Sequence, residues 1–349
     1  MPGKTLKPFV LDMPPVIFGT SGLGNLFVVL SDEVKLEIVK ECIAHTNGKL
    51  IFDSAGKYGA GLALEALGKC LKALDVQPDE VIISNKLGWV RTELKTPEPT
   101  FEPGVWRDLK YDAEQQISYD GIIKCFEQGN ELLAGYIPQM VSVHDPDEYL
   151  AKAQTPEEDA ILYNDILEAY RALRLLKQQG KVQAIGVGAK KWESIARIAK
   201  DVDLDWVMIA NSMTIKSHPE PLLAFMKQLE EKGVQIINSA VFHSGYLIGG
   251  DYFDYKLIDA TAPENKTLCK WRDDFFKLCA AYNIKPAEAC VQFALMAPGV
   301  KSIALSTTNP KRVKDNIAMA ETVIPQKFWE DMVSDGLIDK MYFEYSSPA

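Results

Sequence analysis

Asp53, Lys86 and His144 each stand at the end of an otherwise apolar run, in LIFDS (50–54), VIISNK (81–86) and MVSVHD (140–145), and Tyr58 follows Asp53 by five residues in the loop AGKYGAG. An acid, an amine, an imidazole and a phenol are the parts of a proton relay. A tyrosine titrates near 10 in water, too high for a base at neutral pH. A neighbouring ammonium favours its phenolate, and each tenfold gain in ionisation corresponds to about 1.4 kcal/mol. Asp53 would hold Lys86 charged and oriented, and His144 would orient a substrate oxygen. Tyr58 would then give a proton in a reduction or take one in an oxidation, which is the proton half of a hydride transfer. Taken singly, the same residues have ordinary readings: a structural ion pair, a hydrogen-bonded core histidine and a tyrosine covering a turn. Taken together they do not, because buried charges on neighbouring elements need one another and seldom cluster without a task.

The elements that must bring them together are legible as an alternation. Apolar runs rich in Ile and Val fall at 16–20, 50–54, 81–86, 140–145, 184–188, 206–212, 234–240 and 302–307, lengths suited to strands covered on both faces. Helical segments are predicted at 32–46, 60–74, 118–134, 157–179, 191–200, 219–232, 264–283, 286–296 and 309–321, with Pro219, Pro286 and Pro310 near helix starts and Gly180 and Gly233 at helix ends. Strand–helix alternation at this spacing implies parallel strands with right-handed crossovers. Eight units favour a closed (β/α)8 barrel of the α/β class, one domain over residues 1–349, and no unit resembles another in sequence. In such a barrel the site forms at the C-terminal strand ends, where Asp53, Lys86 and His144 lie. A long Pro- and charge-rich stretch, roughly 92–117, follows the third strand and reads as an irregular loop, either a functional lid or disordered.

Composition narrows the function. The 349 residues carry a formal net charge of −10, which repels phosphate backbones, and no basic cluster with interleaved aromatics offsets it, so nucleic acid is not an expected partner. The six cysteines are scattered without a CxxC, as in a reducing compartment. The opening MPGKTLKPFVLDMPPV has no signal-like apolar core, no stretch is long enough to span a membrane, and a cytoplasmic protein is expected. No strand carries HxH, and only one of the four histidines ends a strand, so no metal is expected.

With Asp53, Tyr58, Lys86 and His144 in place, the chain resembles the aldo-keto reductases. The FDSAGKYG context, NK before LG at 85–88 and VHD at 143–145 match that family's Asp, Tyr, Lys and His, and the resemblance runs from FGTSGLG at 18–24 to NPKRVKDN at 309–316. The wording of FGTSGLGNLF, FDSAGKYGAGLALEALGK and VFHSGYLIGG is similar to the aldose 1-dehydrogenase branch, D-threo-aldose and L-fucose dehydrogenases among it. That likeness implies oxidation of the anomeric carbon of a free sugar to a lactone, with a nicotinamide cofactor.

Gly59-Ala60-Gly61 does not make a Rossmann fingerprint, since position 64 is Leu, and reads as a turn supporting Tyr58. The resemblance instead implies a dinucleotide across the last two strands, with Gly19, Thr20, Asp53, Asn211, Ser239, Ser306, Thr307, Arg312 and Asn316 among its contacts. The segment STTNPKRVKDN opens a helix after a strand, so its backbone N–H groups could meet an anion. Ser306 stands where many NADP-preferring members carry a basic residue, which points to NAD, while Lys311 and Arg312 leave NADP open. Gly188-Ala189, Ala210-Asn211 and Ser239 depart from the family's usual nicotinamide contacts, and Asn211 and Ser212 read equally well as strand-end caps. Trp89, Phe27 and Phe242, with Tyr58 and His144, could wall the substrate pocket, and His243 reads as a solvent-exposed loop residue near the same rim. The expected partner is a small molecule, a sugar, and the expected assembly a monomer or small homo-oligomer. Three other readings stay open: a general aldehyde or ketone reductase of the same superfamily, a lyase forming a Schiff base on Lys86, and a nucleotide-binding regulatory subunit without catalysis.

Overall fold

The computed structural model describes residues 11–254 and 256–346. All eight apolar runs are strands: β1 Val16–Gly19, β2 Leu50–Ala55, β3 Val81–Leu87, β4 Met140–His144, β5 Ala184–Ala189, β6 Trp206–Ala210, β7 Gln235–Ser239 and β8 Val300–Leu305. They pair in chain order, all parallel, and β8 closes on β1 through Val16 opposite Ile303. Helices fill the gaps as the periodicity requires, among them Asp32–His45, Tyr119–Leu132 and Pro156–Gln178, each capped by a hydroxyl (Ser31, Ser118, Thr155) that accepts from a first-turn N–H. Gly180 and Gly233 leave their helices at φ 71° and 74°, the left-handed exit that glycine takes without strain.

Strand parity positions the site. Side chains alternate across a strand, so one set faces the helices and the other fills the barrel. Ile17, Ile51, Met140, Trp206 and Ile237 pack together as the interior layer. Two residues further along, the same parity points Asp53, Ser142, Met208 and Ser239 inward, and Lys86 and His144 follow at the upper ends of β3 and β4. The interior thus changes from apolar to polar along its axis. Trp206 sets the lower limit: a Cβ on Gly186 would lie 2.5 Å from its indole ring.

Several elements depart from the sequence reading. The ends of the supposed irregular stretch form an antiparallel hairpin, Trp89–Glu93 with Tyr111–Gln115, and only its connection is irregular. The alternation is hidden there because the ladder carries charged residues on its exposed face. The predicted helix at 309–321 is broken into a 3-10 turn (Pro310–Arg312), a short α-helix (Val313–Ala318) and a second 3-10 turn (Met319–Glu321). A further helix, Gln326–Ser334, and a short antiparallel pair, Tyr252–Phe253 with Lys256–Leu257, were not anticipated.

The long connection is folded over the mouth of the barrel. Phe101 and Trp106 are buried, Leu26 bridges Trp106, the Phe27 N–H donates to the Val105 carbonyl at 2.8 Å, and the Arg107 N–H donates to the Asn25 carbonyl at 3.1 Å. These bonds pin it to the loop that leaves β1.

The packing around Trp206 makes one consequence measurable. Gly186→Val forces the ring and the β5 backbone apart and should cost about 1–3 kcal/mol, the usual range for overpacking. The shift in the urea midpoint reads it, and an unchanged midpoint would mean that the barrel interior is not close-packed there.

Candidate active site

Adjacent register brings the charged residues together. Asp53 lies opposite Ser84 and Ala55 opposite Lys86 across β2 and β3. Ser84 Oγ donates to Asp53 Oδ1 at 2.9 Å, and Lys86 Nζ is ion-paired with Asp53 Oδ2, both side chains almost wholly buried. Thr20 does not reach the cavity; it stands behind the backbone of Asp53, its hydroxyl within hydrogen-bond distance of the Asp53 carbonyl at 3.1 Å and of Ser54 Oγ at 2.8 Å. The stem of Lys86 runs past Gly188, where a Cβ would lie 3.0 Å from Lys86 Cδ. Its ammonium sits 4.8 Å from the centre of the Tyr58 ring, and the His144 ring meets Tyr58 edge-on at 5.7 Å. The glycine-rich turn holds the phenol there: Gly59 adopts φ 60°, and a side chain on it would strike the Gly24 carbonyl at 2.3 Å.

All four residues line one cavity of about 430 Å³ that extends from the barrel centre to the loop after β8. A second charged group borders it, which the sequence did not mark. Lys57 Nζ contacts Glu102 at 2.7 Å, Asp145 at 3.0 Å and Glu148 at 2.7 Å, and Lys190 pairs with the other oxygen of Glu148. Burial opposes the charge on Lys57, but Asp145, Glu102 and Glu148 outweigh it and raise its pKa. Burial likewise works against ionisation of Asp145, and with His144 neutral the ammonium groups of Lys57 and Lys190 overcome it, holding the carboxyl well below the usual range. Asp147 is pushed up to about 6 by burial and by the neighbouring Asp145. Trp106 lies 5.7 Å from the Tyr58 ring, and its indole N–H donates to Glu102 at 2.7 Å. The only advance sign of these contacts was the length of the connection that carries them.

The other expected residues divide. Gly19, Ser239, Ser306, Thr307, Arg312, Phe27 and Phe242 line the cavity. Asn211 lies outside it at φ 60°, its buried Oδ1 without a protein partner, while Ser212 donates to the Lys190 carbonyl. Asn316 also lies outside the lining. Trp89 does not wall the pocket: its ring packs on Phe101 at 5.8 Å and sits 5.1 Å from the Lys57 ammonium. His243 is not solvent-exposed. It is buried between Thr214 Oγ1 at 2.8 Å and Asp254 Oδ1 at 2.7 Å and stacks on Phe253, because Phe253 and Asp254 fold back over it. The expected anion site on backbone N–H groups after β8 is largely closed from within: Asn309 N–H donates to Thr307 Oγ1, Lys311 N–H to Asn309 Oδ1 and Arg312 N–H to the Asn309 carbonyl. The positive charge left facing the cavity at that end is the Arg312 guanidinium.

The model of the aldo/keto reductase family matches residues 15–334. The chain belongs to that family. Its relatives include a pyridoxal 4-dehydrogenase of Microbacterium luteolum, 26% identical with 92% of this chain and 93% of that protein covered, and a D-threo-aldose 1-dehydrogenase of a Pseudomonas species, 25% identical over 94% and 95%. An L-galactose dehydrogenase of Arabidopsis thaliana is 23% identical over 88% and 84%. Among solved structures, the glycerol dehydrogenase of Gluconobacter oxydans superposes with a TM-score of 0.68 at 17% identity, covering 94% of this chain and 92% of that one, which bears on the fold alone. The family typically uses a nicotinamide cofactor, and the cavity fits such a group. Gly188, Ala189, Ala210 and Ser239 line it with small side chains, and a side chain on Gly22 would come within 2.9 Å of the Thr307 carbonyl, so that edge admits none. Among the described residues, no helix is long and apolar enough to cross a membrane.

Burial lowers the His144 pKa well below its ordinary 6.5, against the pull of Asp145 and with help from Lys86 and Lys57. The folded imidazole stays neutral, while the unfolded chain takes up a proton below about pH 6.5. Acidification from pH 7 to 5 therefore costs the wild type stability that a His144→Gln variant keeps, with the difference growing by up to about 1.4 kcal/mol per pH unit. Parallel pH profiles of the two urea midpoints would refute a neutral imidazole.

Proposed function

We propose that the protein is an NAD(P)-dependent dehydrogenase that oxidises the anomeric carbon of a free aldose to a lactone, with Tyr58 as proton acceptor. The observation that carries this reading is the placement of the Tyr58 ring over the Lys86 ammonium, itself tied to Asp53, with His144 at the ring's edge. Loss of hydride from a hemiacetal carbon leaves a hydroxyl proton to be removed. Tyr58 takes it as the phenolate that the Lys86 ammonium favours and becomes the neutral phenol, and Asp53 fixes the ammonium. His144, neutral, directs the substrate oxygen. A nicotinamide cofactor, when bound, accepts the hydride; Gly19, Ser239, Ser306, Thr307 and Arg312 are the residues that would hold it.

The substrate class draws support from the relatives' names. D-threo-aldoses, L-galactose and pyridoxal all carry an aldehyde with a hydroxyl placed to close on it as a cyclic hemiacetal. A hemiacetal losing hydride becomes a lactone. Against a Schiff-base role, a nucleophilic Lys86 would first have to give up its proton and its carboxylate partner inside the barrel, which is costly for a buried pair. We favour NAD over NADP because Ser306, at the cavity edge and 3.2 Å from Ser21 Oγ, adds no positive charge beside Arg312.

Tyr58→Phe keeps the packing and removes the proton acceptor, so turnover of aldoses should fall by about 10²- to 10⁴-fold with little change in KM. Retained turnover would remove Tyr58 from the reaction. Ser306→Arg should lower KM for NADP severalfold relative to NAD, read as the ratio of kcat/KM with the two cofactors; an unmoved ratio would take this position out of cofactor choice.

A further inference from the structure

A second charged network, centred on Lys57, borders the reaction cavity. Lys57, Glu102, Asp145 and Lys190 all line it, next to Tyr58 in sequence or space, and Glu148 joins the two lysines from behind. The group draws on four separate segments: the Tyr58 turn, the connection folded over the mouth, the end of β4 with the short helix Pro146–Leu150, and the residue after β5. Two ammonium groups and three carboxylates carry one net negative charge; the three protons of Lys57 are taken by Glu102, Asp145 and Glu148, so the remaining carboxylate lone pairs and the partly exposed Lys190 are the groups that can meet a ligand. Beside it, Trp106 and Phe27 offer flat apolar surface. A neutral polyhydroxylated ring has the matching chemistry: hydroxyls that donate and accept along one edge, and C–H faces for the aromatic walls. An aliphatic aldehyde cannot use the charged edge, and an anionic sugar is repelled by it.

We propose that Lys57, Glu102, Asp145 and Lys190 form a subsite that reads the hydroxyl groups of a neutral sugar and rejects its anionic counterparts. The proposal rests on the dehydrogenase reading above and adds its specificity. Charge is the discriminating property, so opposite changes in charge should move selectivity in opposite directions. Glu102 lies in the connection over the mouth and Lys190 at the cavity rim, both partly exposed, which makes them the tractable positions. Glu102→Gln removes the net negative charge while keeping an acceptor for the Trp106 indole. Lys190→Met doubles it.

The measurement is kcat/KM for the neutral aldose that the enzyme turns over best, divided by kcat/KM for the corresponding uronic acid, with butanal reduction as a third assay. Glu102→Gln should lower that ratio by about fivefold and Lys190→Met should raise it by about fivefold, the scale of one charge acting through a partly solvated site. Ratios that stay within twofold of wild type, or that move in the same direction in both variants, would overturn the subsite. A loosened lid predicts the former, since it would impair both substrates alike. Wild-type enzyme that reduces butanal and oxidises no aldose would sink the dehydrogenase reading itself; aldose turnover without opposed shifts would sink the subsite alone.

Discussion

Two opposite charges confined inside a barrel set the terms for everything around them. A buried ammonium without its carboxylate, or the reverse, costs several kcal/mol, so Lys86 and Asp53 must arrive together and in contact. Neighbouring parallel strands do this with no adjustable parts: the register of β2 and β3 brings Asp53 and Lys86 within reach, and Ser84 takes up the second carboxylate oxygen. Thr20 closes the back of Asp53 from the end of β1, and Gly188 on β5 leaves the space through which the lysine stem passes. A charge held this rigidly is preorganised for whatever charge develops on the phenol above it, and electrostatic stabilisation of that kind is worth most where nothing has to reorient.

The second charged network obeys a different constraint. Lys57 is as buried as Lys86 but answers to three carboxylates instead of one, and all three come from outside the barrel strands. Glu102 spends one oxygen on Lys57 and the other on the Trp106 indole, so the ion pair at the mouth and the aromatic wall beside Tyr58 are one unit. The connection is therefore held by polar bonds that water can compete for at its rim, and by apolar burial of Phe101 and Trp106 beneath. The inner pair is closed to solvent, whereas Glu102, Glu148 and Lys190 of the outer network are partly exposed.

How much of this the sequence disclosed follows from what each feature depends on. The strands were legible because burial on both faces leaves uninterrupted runs of Ile and Val, and the tetrad because a charge closing such a run has few innocent explanations. Asp53, Lys86 and His144 were visible for the same reason that Ile51 and Met140 were: strand parity carries the polar layer along with the apolar one. The hairpin at 89–115 was not legible, because its exposed face is charged and its alternation is lost among Pro and Glu. Trp89 and Trp106 are equivalent in a sequence reading, and only the fold of the connection decides that Trp106 faces Tyr58 while Trp89 turns to Phe101. His243 was misread for a related cause: nothing local announces that Phe253 and Asp254 return to cover it. Lys57 was passed over because a lysine beside glycines in a loop looks solvated, and its partners lie far along the chain, Glu102 in the connection and Asp145 and Glu148 after β4.

The positions where this chain departs from its family's pattern also follow a physical division. Gly188, Ala189 and Ser239 replace larger polar groups on the cavity floor, whereas Asp53, Tyr58, Lys86 and His144 are intact and closely braced. Contacts that a ligand makes equally in the ground state and the transition state govern how tightly it binds, and only contacts that strengthen as charge develops raise the rate. Side chains that merely grip a flat ring belong to the first kind. In the proton-acceptor role proposed for Tyr58, the phenol, its ammonium and the imidazole belong to the second kind, and these are the groups that the ion pair to Asp53 and the turn at Gly59 brace.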